Sequence, residues 1–109
     1  MSAADTALRG SATAMAAAVR AGALRPSELV DAALARIAAT DGRVNAFTAV
    51  LVDRARARAA ELDVLPAPLP LRGVPFAVKN LFDIAGLPTL AGSKIEAGSA
   101  PATADGLLV

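Results

Sequence analysis

Prolines occupy three alternate positions, 66, 68 and 70, and neither a helix nor a strand interior can run through such a series. Residues 64–72 are therefore expected to form an extended connector. Helices and strands are therefore expected only on either side of that connector. The first stretch, residues 1–63, reads as mostly helical. From Thr6 to Ala21 alanine dominates, with Leu8, Met15 and Val19 as the larger apolar residues and Gly22 as a stop. So narrow an apolar stripe puts the expected helix on a surface.

The segment PSELVDAALARIAATDG is a clearer helix. Pro26 suits a first helical position and Glu28 favours the positive end of the helix dipole. Leu29, Val30, Ala33, Leu34, Ile37 and Ala38 recur along one face, and Gly42 is the expected end. Arg25 falls at the N-cap, where its side chain cannot accept a backbone hydrogen bond, so the cap is poor. Asn45–Leu51 (NAFTAVL) has the composition of a short strand. Asp53 then caps a further helix expected to reach Leu62. On it Arg54 and Arg58 share a face, whereas two residues of helix turn Arg56 away by about 200°. The RARAR run therefore makes no basic stripe and reads as a solvated helix, not a nucleic-acid contact.

After the connector the character changes. Val74–Val78 reads as a buried strand, followed by a loop punctuated by Gly86, Pro88 and Gly92. Thr103 is placed to cap another helix with Asp105 in its first turn. No internal repeat is visible. The 109 residues have the length of one small domain. Hydrophobic residues make up 55% of them, and a mean hydropathy of +0.51 argues against disorder. Much of that fraction is alanine, however, and there is no Trp or Tyr and only three Phe, so the core is thin.

Charge and missing residue types exclude whole classes of function. A net charge of +1 gives no ground for a nucleic-acid or membrane partner. The absence of Cys removes disulfides and thiolate metal sites. The absence of His removes Ser-His-Asp and Cys-His catalysis and the commonest metal ligand. The start, MSAADTALRG, has no apolar core of a secretory signal, and the uncharged stretch Gly10–Val19 is far short of the ~20 residues of a membrane helix. A cytoplasmic protein is expected.

Among these exclusions one residue stands out. Only two lysines occur, Lys79 and Lys94, against nine arginines. Lys79 ends the apolar run of GVPFAVKNLF. At the carboxyl end of a strand it would sit where α/β sheets gather ligands. Among Phe76, Val78, Leu81 and Phe82 its ammonium would be poorly solvated and its pKa would fall, so that it could accept a proton near neutrality, as an arginine cannot. A lysine that merely reaches past the strand end to solvent is the alternative that spacing leaves open. Ser93 lies between Gly92 and Lys94, but neither a phosphate loop nor a nucleophile elbow surrounds it. It reads as a loop serine, with substrate binding as its weaker role. Asp83 suits hydrogen bonding to its own loop, Lys94 an exposed charge, and Gly86 and Gly92 turns. No carboxylate pair is spaced for a metal.

The stretch GVPFAVKNLFDIAGLPTLAGSK, with the later ADGLLV, resembles the amidase signature family. The family pattern G-[IV]-P-x-x-[VI]-K-[DN] is met by Gly73, Pro75, Val78, Lys79 and Asn80. The loop G-x-x-T-x-x-G-S is met by Gly86, Thr89, Gly92 and Ser93, and the Asp that leads a helix by Asp105. SELVDAALARI and NAF are also similar to the family's first helix and short strand. The resemblance implies an α/β fold, helices around a mixed sheet, of which residues 1–109 would be an incomplete N-terminal part. It implies hydrolysis of a small carboxamide by a Lys-Ser-Ser triad that needs neither histidine, metal nor cofactor. Lys79 matches the lysine, which takes a proton relayed through a serine with a cis peptide bond as a second serine attacks.

Neither serine can be assigned, since no glycine-serine signature occurs before Val109, and the chain alone is expected to be inactive. Asn80 stands where aspartate is common, which removes a charge that would hold Lys79 protonated. VKNLFDIAGLPTLAGSKI is most similar to bacterial amidases of the carboxybiuret hydrolase type and less so to the A subunits of tRNA amidotransferases. The complete enzyme would be a homo-oligomer or carry a small partner chain. The competing readings are a Schiff-base lysine and a non-catalytic helical interaction domain.

Overall fold

In the computed structural model, which describes residues 1–65 and 68–109, regular structure is confined to four helices and one short 3-10 turn among those residues. The helices are α1 (Ala3–Ala7), α2 (Ala12–Arg20), α3 (Pro26–Val44) and α4 (Val52–Val64); the 3-10 turn is Ile95–Gly98. The chain divides into two compact units, Met1–Pro75 and Phe76–Val109.

The helix expected over Thr6–Ala21 is two helices. Ser2 caps α1 through a reciprocal pair, its hydroxyl accepting from the Asp5 N–H at 3.1 Å and the Asp5 carboxylate accepting from the Ser2 N–H at 2.9 Å. The Ser2 hydroxyl also donates to the Asp5 carboxylate at 2.7 Å, and this bond, with that from the Ser2 N–H, holds the Asp5 carboxyl below its usual range. Ser11 then opens α2 by accepting from the Ala14 N–H at 3.1 Å. Runs of alanine conceal this break, because alanine favours helix on both sides of it. Nor does α2 lie on a surface. Met15, Ala16 and Val19 are buried, and Met15 and Val19 pack with Ala4, Leu24 and Leu29 beneath a partly buried Val74. Leu29 is fully buried, and burying such a side chain contributes about 1.5–3 kcal/mol.

The N-terminus of α3 supplies from elsewhere what Arg25 cannot. The Glu28 carboxylate accepts from the Arg25 N–H at 2.7 Å, and the Asp63 carboxylate, brought by α4, accepts from the Ser27 N–H at 3.0 Å. Burial pushes the Asp63 carboxyl up, but hydrogen bonding from Ser27 and the nearby Arg25 and Arg72 guanidiniums outweigh it and hold the group low. At its other end α3 runs through Gly42 and stops at Asn45, which adopts the left-handed conformation with φ 52°. The Asp41 carbonyl accepts from the Asn45 N–H and its carboxylate from the Ala46 N–H, both at 2.7 Å. These bonds occupy donors that a strand at Asn45–Leu51 would have needed, and that segment is irregular.

Helix α4 starts at Val52 after an uncapped Leu51, so Asp53 lies inside its first turn, and it passes Leu62 to end at Val64. It packs on α3 and buries Ala59 and Leu62. Its arginines are engaged in the manner of a solvated helix. Arg56 meets Asp31 at 3.0 Å and Arg58 meets Glu61 at 2.9 Å. Of the expected connector, Pro66 and Ala67 lie outside the described residues; Pro68 and Leu69 have no regular structure, and 70–73 turn. Arg72 donates through both Nε and Nη2 to the Leu62 carbonyl, one of the acceptors that the end of α4 leaves open. Gly73 comes next with φ 81°, and a Cβ built there would stand 2.8 Å from Cγ and 3.1 Å from Cα of Pro26.

The α/β expectation is corrected at the level of strands. Among the described residues none forms a strand, and the one bridge, Ala85 with Ala102, is isolated and parallel. Val74–Val78 is extended chain without a ladder partner, and Phe76 is 73% exposed. A strand is stabilised by pairing, and no second strand is at hand among the described residues. The helix expected after Thr103 is also missing. Its would-be first-turn residue, Asp105, uses its carboxylate on the Ala85 N–H at 2.9 Å, and the Gly106 N–H donates to the Asp83 carbonyl at 2.8 Å. Contacts distant in sequence have taken the groups that would have started the helix.

Candidate functional site

The site is built entirely within residues 76–109. Lys79 ends the extended run and enters a turn, its carbonyl accepting from the Phe82 N–H at 3.2 Å. A hollow of about 290 Å³ opens beside it, lined by Phe76, Ala77, Val78, Lys79, Phe82, Leu108 and Val109. An apolar wall with a single amine is thus in place. Lys79 is nevertheless exposed, and so are Phe76, Leu81 and Phe82, the last at 39%. Leu81 is not among the lining residues. The expected apolar surround of Lys79 is therefore half-made, because the ring and branched side chains that would desolvate the ammonium themselves face water.

Around this hollow the loop is held by side-chain acceptors. Asn80 reaches across to the loop's far arm, where its Oδ1 accepts from the Leu90 N–H at 3.1 Å and its carbonyl from the Ala91 N–H at 2.8 Å. The Asp83 carboxylate accepts from the Thr89 hydroxyl at 2.5 Å, in place of the loop amides expected for it. Gly86 donates to the Ala102 carbonyl and the Ala102 N–H to the Leu87 carbonyl, each at 2.9 Å, which closes the loop's base. Gly86 and Gly92 have φ of 87° and 71°, the left-handed values that glycine takes without cost.

Ser93 is half-buried and absent from the hollow's lining. Its Oγ accepts from the Ile95 N–H at 3.2 Å, at the start of the 3-10 turn, which is what a structural loop serine does. Lys94 is exposed. Sequence reasoning missed the tethers made by Asn80 and Asp105. The one available signal was the residue type: short side chains with a carbonyl or carboxylate oxygen, flanking glycines, are the natural acceptors for loop amides. It could not say which amide. Among the described residues no helix is long and apolar enough to cross a membrane.

Comparison with known proteins bears on the same segment. A family model described as Amidase matches residues 28–109. The AtzE subunit of the 1-carboxybiuret hydrolase of Pseudomonas sp. (strain ADP) is 54% identical over 89 residues, which is 75% of this chain and 19% of that protein. The A subunit of the glutamyl-tRNA(Gln) amidotransferase of Anaeromyxobacter sp. (strain K) is 52% identical over 89 residues, 78% of this chain and 18% of that protein. Among solved structures, a chain from an unexpected vestigial protein complex that reveals the evolutionary origins of an s-triazine catabolic enzyme superposes with a TM-score of 0.75 at 47% identity. That match covers 84% of this chain and 21% of the other. The chain spans about a fifth of the length of the relatives it matches.

Proposed function

Because this chain belongs to the amidase family, we propose that it supplies the proton-accepting lysine of an amide hydrolase, and that this lysine is Lys79. The observation that carries the reading is that Lys79 lines an otherwise apolar hollow, inside the segment that matches the family pattern. A small amide seated there would cover Phe76, Val78 and Phe82 and shut water out of the hollow. Lys79 Nζ then accepts a proton passed through one serine while a second serine adds to the carboxamide carbon. Collapse of that adduct expels the amine or ammonia and leaves an acyl ester for water to cleave. The family resemblance implies that both serines and the oxyanion donors would come from outside residues 1–109. No role in catalysis falls to Ser93 in this scheme.

The substrate class is taken from the relatives. Carboxybiuret-type amide cleavage is the first reading, since the similarity to that hydrolase is 54% over the shared segment. Release of ammonia from glutamine, as part of an amidotransferase, is the second, with 52%. Both relatives are described as subunits, which supports assembly with copies or a small partner chain. The deciding experiment measures ammonia release by the full-length protein from 1-carboxybiuret and from glutamine, with Lys79→Ala and Lys79→Arg alongside. Loss of turnover in both variants is expected. Substantial turnover by Lys79→Arg would sink the proton-acceptor role, because a guanidinium cannot take up a proton near neutrality.

A further inference from the structure

We infer that Asn80 is the positioning residue for Lys79, acting through the acceptor oxygen of its side chain. This rests on the reading of Lys79 as the proton acceptor. Two bonds from one residue join the lysine turn to the far arm of the loop: the Leu90 N–H donates to Asn80 Oδ1 at 3.1 Å, and the Ala91 N–H donates to the Asn80 carbonyl at 2.8 Å. The Asn80 side chain is half-buried, so this pairing competes with less water than an exposed one would. A backbone N–H can only donate, so the atom facing it must be the amide oxygen; the nitrogen would present a donor to a donor. This contact asks of position 80 an oxygen at that distance from the backbone. Asparagine and aspartate both offer one, whereas glutamine carries its oxygen about 1.5 Å further out.

The consequence reaches Lys79 through its covalent link. With Asn80 held at both its backbone and side chain, the Lys79 carbonyl and Cα are fixed on one side, while the Phe82 N–H holds the same carbonyl on the other. The long lysine side chain then searches a smaller volume over the hollow. Misplacing a reacting group by about 1 Å can cost about 100-fold in rate.

The test is steady-state ammonia release by the full-length protein carrying Asn80→Ala, Asn80→Gln, Asn80→Asp or, as a control, Lys79→Ala. With each variant compared at its own pH optimum, Asn80→Ala and Asn80→Gln are expected to lower kcat by about 10- to 100-fold with KM within threefold, and Asn80→Asp to stay within about fivefold of the parent. Where Asn80→Ala does not fold, the contrast between Gln and Asp decides, since both keep a polar side chain that carries an acceptor oxygen. A parental kcat in Asn80→Gln, an Asn80→Asp as impaired as Asn80→Gln, or a loss confined to KM each overturns the inference. Full activity of Lys79→Ala overturns the lysine reading itself; an inactive Lys79→Ala beside a fully active Asn80→Gln overturns only the role of Asn80.

Discussion

Asp63, the residue before the last of α4, accepts a hydrogen bond of 3.0 Å from the Ser27 N–H in the first turn of α3. One helix thus caps another across 36 residues of sequence, where the local cap residue is an arginine that cannot. Asp63→Ala is expected to cost about 1 kcal/mol, the usual value of a lost N-cap, measured by denaturant unfolding. The pH dependence comes from the depressed carboxyl. Stabilisation by Asp63 is present above the unfolded-state value of 3.8 and lost as pH falls through the lower folded-state value. The stability difference between parent and Asp63→Ala should hold steady above about pH 5 and narrow below about pH 4. A difference that widens on acidification contradicts this assignment.

Gly73 has no tolerated substitute. Its φ of 81° strains any L side chain, and an added Cβ meets Pro26 at 2.8 Å. Gly73→Ala should destabilise the protein by about 2–4 kcal/mol, summing the backbone strain and the clash. Shortening the obstacle with Pro26→Ala is expected to recover only part, because the Pro26 Cα at 3.1 Å stays in place. A midpoint shift in thermal unfolding for the single and double variants measures both terms.

Gly42 presents the opposite case. It lies inside α3 with helical backbone and nothing within 4 Å of where a Cβ would go. Gly42→Ala is therefore expected to stabilise by about 0.5–1 kcal/mol. An unchanged or lower unfolding midpoint would mean that α3 does not extend past residue 42 in solution.

Arginines 72 and 56 should differ sharply. Arg72 donates twice to the Leu62 carbonyl, one of those left open by the end of α4, so Arg72→Ala is expected to cost about 1.5–3 kcal/mol. Arg56 and Asp31 are about 60% exposed, and Arg56→Ala should cost less than about 0.5 kcal/mol, shrinking further in high salt. Unfolding curves at low and high ionic strength separate the two.

The features legible in the sequence were those that depend on near neighbours. Pro26 at the head of α3, the solvent-exposed arginines of α4 and the turn glycines Gly86 and Gly92 all obey local rules. Three of the misses share one cause, the capture of backbone donors by carboxylates whose partners sequence spacing does not reveal. Asp41 takes the amides of a would-be strand, Asp105 turns to Ala85 and leaves its helix unformed, and Asp63 repairs a cap that looked beyond repair. The lysine's motif could be read as well; its exposure could not, because solvation depends on what covers Phe76 and Phe82.

The eight residues from Gly73 to Asn80 look like a single catalytic fingerprint, yet they carry two separate obligations. The leading glycine answers to a proline ring in the helical unit, and the closing asparagine to amides of the lysine loop. Variation at the front of the fingerprint should accordingly surface as protein that fails to accumulate, and variation at its back as protein that accumulates normally and turns over slowly. A screen scoring only growth would merge these two failures, whereas abundance and rate measured side by side would tell them apart.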